Sequence, residues 1–99
     1  MRQFKKFSIG KAVNKIKKPY SPVELASANG QKLIVAIFEG EYKWHSHGHD
    51  ELFIVQEGSV TIETGHGNVV LREGEGFVVP KGIMHKPSSE HAVVLILSA

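Results

Sequence analysis

The sequence predicts an all-β domain, a sandwich or small barrel, and three observations carry that prediction. No segment after residue 20 offers a helical period. In its place come short runs rich in β-branched and aromatic residues, with glycine between them at close intervals. The runs Leu33–Phe38 and Val93–Leu97 are apolar without a break, so the strands they form must be covered on both faces. The surplus apolar face predicts a homodimer built by sheet packing. A chain of 99 residues is one domain's worth, and 41% apolar with 22% charged residues places it among globular rather than disordered chains.

In chain order, residues 1–18 read as a basic arm and 19–99 as the β domain. Seven of the twelve lysines and arginines fall in that arm (Arg2, Lys5, Lys6, Lys11, Lys15, Lys17, Lys18), while the remainder carries five bases against ten acids. The arm reads as a short amphipathic helix with Phe4, Phe7, Val13 and Ile16 toward the body and its lysines in water. The acidic body would repel a nucleic-acid backbone, so nucleic acid is not the expected partner. Pro19 and Pro22 end any upstream helix, because proline lacks a backbone donor and disfavours the helical basin before it. Strands are expected at 22–28, 32–39, 41–47, 51–57, 59–64, 68–72, 76–80, 83–87 and 91–97. Asn29-Gly30 supplies the positive φ values that a type I′ hairpin turn needs, and Gly65-His66-Gly67-Asn68 makes a second hairpin.

No apolar run approaches the ~20 residues of a membrane span, and no export signal is visible, so a cytoplasmic location without membrane contact is expected. Cysteine is absent, which leaves nitrogen and oxygen as the only ligands for a metal.

The densest chemistry lies in Trp44-His45-Ser46-His47-Gly48-His49-Asp50-Glu51. On a strand His45 and His47 project to one face, with Cα atoms ~6–7 Å apart, and their imidazoles can reach one cation. Glu51, at the start of the next strand, can bring a carboxylate beside them. Two histidines and a carboxylate with open positions suit non-haem iron and other first-row metals. His85 follows Pro80-Lys81-Gly82 and could supply a fourth ligand from across the barrel. Taken singly, an exposed His-x-His pair, a strand-end carboxylate and a surface histidine are the commoner readings; the joint spacing is what points to a site. His49 reads as a loop histidine, His66 and His91 as surface residues, and Trp44 as packing away from the metal. Phe53, Val55, Val60, Ile62 and Ile83, with Phe77 and Val79, are the expected inward residues. Arg72 and Lys43 are the only candidates for clamping a phosphate.

The pattern Gly40-x4-His45-x-His47-x3-Glu51-x6-Gly58 resembles the first cupin motif, and Gly74-x5-Pro80-x-Gly82-x2-His85 the second. The resemblance runs from about Ser21 to Leu97 and is nearest to small single-domain cupins described as mannose-6-phosphate-isomerase-like. It departs in two places: the stretch from Gly40 to His45 is one residue short, and Ser89 stands where an asparagine usually closes the second motif. The resemblance implies a double-stranded β-helix, the jelly-roll barrel of the RmlC-like kind. It also implies a metal held by His45, His47, Glu51 and His85, and a homodimer.

Such a ligand set suits Fe(II), Mn(II), Ni(II), Zn(II) or Cu(II), with affinity expected to fall below pH ~6 as the imidazoles protonate. Two functions follow as expectations. One is a metalloenzyme, oxygenase- or isomerase-like, acting on a small oxygen-bearing substrate. The other is a non-catalytic module that binds a sugar or metabolite, its metal anchoring the ligand or bracing the fold.

Overall fold

A computed structural model describes residues 6–99. It contains one helix, α1 (Ile9–Asn14), and six strands: β1 (Val23–Ala28), β2 (Gln31–Glu41), β3 (Glu51–Thr64), β4 (Gly67–Arg72), β5 (Gly76–Val79) and β6 (His85–Ser98). The strands pair antiparallel in the order β1-β2-β6-β3-β4, with β5 beside β3. This is an all-β antiparallel jelly-roll arrangement, and its two longest strands, β3 and β6, lie at the centre of the pairing.

Two pairs of expected strands run together. The 51–57 and 59–64 segments form one strand, β3, because Gly58 bulges it instead of ending it. Register against β6 shifts on either side of this glycine, whose φ is +84°. A Cβ at that position would collide with the His91 backbone carbonyl. The 83–87 and 91–97 segments likewise join in β6. The polar run Ser88-Ser89-Glu90 looks like a break, yet Ser88 pairs with both Glu41 and Thr61, and Ser89 Oγ donates to the Ser59 carbonyl at 2.5 Å. Pairing on both sides overrides local composition here.

The expected strand 41–47 is the reverse case. Beyond Glu41 the ladder to β6 survives only as isolated bonds. The Tyr42 amide donates to the Pro87 carbonyl, His45 and His85 exchange both amide bonds, and the Gly82 amide donates to the His47 carbonyl. The chain from 42 to 47 thus runs along the entry to β6 without forming a regular strand.

Inside the barrel, Phe38, Phe53, Val55, Val60, Ile62, Val79 and Val94 form one buried cluster, with Phe77 and Ile83 packed against it. Alternation places a second apolar layer on the outer face. The helix α1 packs against β1 and β2. Its start is capped by Ser8, whose Oγ accepts from the Lys11 amide. Val13 and Ile16 are half-buried, as expected of an amphipathic arm; Phe7 is exposed, and Phe4 lies outside the described residues. Among the described residues no helix is long and apolar enough to cross a membrane.

Candidate metal centre

Three histidines converge at one end of the barrel. Ligand nitrogens of His45, His47 and His85 all lie within 4.8 Å of one another. His45 and His85 face each other because they are cross-strand partners, joined by two backbone bonds of 2.9 and 3.0 Å. Directly paired residues project to the same face, and their rings stand 4.3 Å apart between centroids. His47, two residues after His45, returns to that face, its ring 4.8 Å from His45.

The backbone sets the proton positions. His45 Nδ1–H donates to the Lys43 carbonyl at 2.8 Å, and His85 Nδ1–H donates to the Ile83 carbonyl at 2.9 Å. A carbonyl only accepts, so both rings carry their proton on Nδ1 and present a bare Nε2 lone pair. His85 is fully buried, and its Nε2 meets no hydrogen-bond partner. An unsatisfied buried acceptor costs about 1–3 kcal/mol, so a lone pair kept bare beside two other imidazoles fits the donor set of a cation. Burial holds His85 below the ordinary imidazole range, outweighing the help that its charged form takes from the Ile83 carbonyl. The neutral ring is the ligating form.

Glu51 opens β3, and its Oε1 lies 3.3 Å from His47 Nε2. Ligand atoms on adjacent corners of an ion bonded at ~2.1 Å stand about 3.0–3.4 Å apart, so this spacing suits two groups sharing one cation. The carboxylate touches His47 but is not part of the mutually close histidine group. His49 stacks on His47 at 5.6 Å and also stays outside the group.

A cavity of about 140 Å³ opens beside these rings. His45, His47, Glu51 and Phe53 line it, together with Tyr20, Phe38 and Tyr42. Of the expected inward residues, Phe53 reaches the cavity, whereas Val55, Val60 and Ile62 fill the core beneath it. Trp44 faces away from the cavity, as expected; at 47% exposed it is not packed in the core of this chain, which leaves a dimer surface as the packing expected of it. Arg72 lines a different surface groove, and Lys43 lies over the Tyr42 ring without lining the cavity. His66 and His91 are exposed, the latter paired with Glu39 at 3.0 Å.

Three contributors escaped the sequence reading. Tyr20 takes a left-handed backbone conformation, φ +58°, and spans back to β2. Its amide donates to the Ile37 carbonyl and its hydroxyl to the Gly40 carbonyl. The Pro19 and Pro22 that flank it mark a chain reversal but say nothing of where it docks. Tyr42 stacks on Tyr20 with centroids 4.7 Å apart. Asp50 Oδ1 accepts from the Lys81 amide at 2.9 Å, and with the Gly82–His47 bond it latches the loop before β3 to the turn before His85.

The family model for the cupin domain matches residues 34–98. A Bacillus subtilis (strain 168) relative, the uncharacterized protein YdbB, is 35% identical over 78 residues, covering 77% of this chain and 69% of YdbB. A crystal structure of a cupin-2 domain containing protein from Shewanella frigidimarina superposes with a TM-score of 0.86 at 33% identity, covering 92% and 91% of the two chains. The hydroquinone 1,2-dioxygenase PnpCD, in complex with Cd2+ and 4-hydroxybenzonitrile, shares the fold with a TM-score of 0.82 at 22% identity, covering 93% of this chain and 71% of its own.

Proposed function

The chain belongs to the cupin family, whose model spans more than half of it, and from that premise we propose a metalloenzyme acting on a small oxygen-bearing substrate. In this reading His45, His47, Glu51 and His85 hold one divalent transition metal of the iron, manganese, nickel, zinc or copper group. The observation that carries it is the buried, partnerless Nε2 of His85 directed at two further imidazoles. Such a metal supplies Lewis acidity toward a carbonyl, enolate or phenolate oxygen, or a redox centre toward dioxygen. The protein's own groups do the rest. The Lys43 and Ile83 carbonyls fix the ring tautomers, and Phe38, Phe53 and the tyrosines limit water beside the site. The dioxygenase among the structural neighbours, crystallised with a divalent cation, supports the enzymatic form of the reading.

One observation favours the second reading, a non-catalytic binding module. Apart from the proposed ligands, the ionisable groups lining the cavity are Tyr20 and Tyr42. The Tyr20 hydroxyl is committed to the Gly40 carbonyl, and burial, aided by Glu41, pushes its pKa up to about 12. It is poorly suited to moving protons near neutrality.

The proposal includes a homodimer and a cytoplasmic setting, the latter on the sequence expectation alone. It treats residues 1–18 as an arm on the 19–99 barrel. Register aligns Leu33, Leu97, Leu52 and Val78 side by side across β2, β6, β3 and β5, an outer apolar row suited to a second copy.

Metal analysis of untagged protein tests the reading, followed by oxygen uptake of the Fe(II)-loaded form with diketones, catechols and thiols. Stoichiometric metal with turnover is expected. A substoichiometric metal content under all loading conditions refutes the centre. Saturable metabolite binding without turnover by any metal form selects the module.

A further inference from the structure

The shape and charge of the cavity narrow what the centre takes, and we infer that it selects a monocyclic aromatic ligand bearing one metal-directed oxygen, a phenol, over phosphorylated sugars. The inference rests on the metal reading above and concerns the walls rather than the ligands.

Size comes first. At about 140 Å³ the cavity is close to the ~150 Å³ of an apolar cavity that takes benzene. A hexose phosphate has more than twice the heavy atoms of phenol, so whatever extends beyond one ring would stand outside the cavity mouth in water and gain no contact with its walls.

The wall comes second. Tyr20 packs between two rings, Phe38 at 4.8 Å and Tyr42 at 4.7 Å, and Tyr42 meets His45 edge-on at 5.2 Å. This aromatic wall therefore runs up to the histidines. Tyr20 is held at two points, amide to Ile37 and hydroxyl to Gly40, so the wall is rigid before a ligand arrives. Ala36, Phe53 and Ile96 complete the lining, and the Phe53 ring meets Phe38 edge-on at 6.1 Å. Such a surface rewards a ring, whose faces and edges match those of its neighbours.

Charge comes third. Among the described residues that line the cavity there is one carboxylate, Glu51, and neither lysine nor arginine. A phosphate dianion calls for charge-assisted donors, and none faces it here. A divalent ion offset by Glu51 leaves roughly one positive charge, which a single phenolate oxygen matches.

The test uses Co(II) as the probe metal, with its visible spectrum and calorimetry as readouts. Phenol, cyclohexanol and mannose 6-phosphate are the ligands. The expected result is one cobalt per chain and saturable perturbation of its bands by phenol. Binding of phenol should be at least about fivefold tighter than of cyclohexanol, since one aromatic contact provides that factor and the more acidic hydroxyl adds to it. Mannose 6-phosphate should produce no change. Tyr42→Ala should weaken phenol about fivefold and leave cobalt affinity unchanged. Ala36→Leu, which fills the cavity from β2, should abolish phenol binding with cobalt retained. Mannose 6-phosphate matching phenol, cyclohexanol matching phenol, or both variants keeping full phenol affinity overturns the inference while the metal centre stands. Failure of cobalt to bind defeats the metal reading itself, and the inference with it.

Discussion

Replacing His85 with leucine separates the two roles that the centre plays. The side chain is fully buried, and leucine is of similar volume, so neither a cavity nor a clash dominates. In metal-free protein the exchange removes an unsatisfied Nε2, a relief of about 1–3 kcal/mol. It also removes the Nδ1 bond to the Ile83 carbonyl, which contributes about 0.5–1.5 kcal/mol and leaves that oxygen unpaired. The opposing effects are of similar size, so the metal-free variant should unfold within about 1.5 kcal/mol of wild type. With metal the outcome differs. An ion present at about a thousand times its dissociation constant adds about 4.1 kcal/mol to the native state. For a domain of this size each kcal/mol moves the midpoint by about 4–8 °C. Wild type should therefore gain roughly 16–32 °C on loading, and His85→Leu little of it. Scanning calorimetry in chelator and in Zn(II) reads both numbers, with His66→Ala, at an exposed hairpin tip, as the control that retains the full gain. A metal-dependent shift that survives in His85→Leu, or one equally lost in His66→Ala, refutes the assignment.

Three further outcomes are expected. Because the native pKa of His85 lies below its unfolded value, the unfolded chain takes up the proton first as pH falls through about 6.5. This histidine's contribution to metal-free stability is thus complete above that pH and is lost below it, down to the native pKa; urea titrations should show a steeper acid loss for wild type than for His85→Leu, and equal slopes would contradict the burial argument. Gly58→Ala places a Cβ against the His91 carbonyl at a left-handed backbone position, and should cost more than about 2 kcal/mol in urea unfolding; a neutral substitution would mean that the bulge is not fixed there. Leu97→Glu puts a charge in the middle of the outer apolar row and should convert a dimer to a monomer in light scattering; wild-type protein that is already monomeric at micromolar concentration removes the dimer.

The site was legible where the period of a strand does the work. Phe53 and Val55 follow Glu51 inward along β3, and His45 and His47, two residues apart, share a face although only isolated bonds hold their segment extended. His85 became legible only through the spacing of the second motif, because no local pattern reports that residues 45 and 85 are hydrogen-bonded partners. Strand ends were read least well. Gly58 and the 88–90 run have the composition of turns, and only pairing with strands distant in sequence keeps them extended. The aromatic wall was not legible, since the position of Tyr20 depends on bonds to Ile37 and Gly40 that form once the barrel exists.

The rung that joins His45 to His85 has a consequence for how occupancy can be watched. Their two amide protons sit in the same pair of bonds that sets the rings face to face. A ligand gripping both imidazoles also rivets that rung shut. Deuterium uptake at these two backbone sites should slow in step with loading, giving a colourless ion a local signal that owes nothing to turnover.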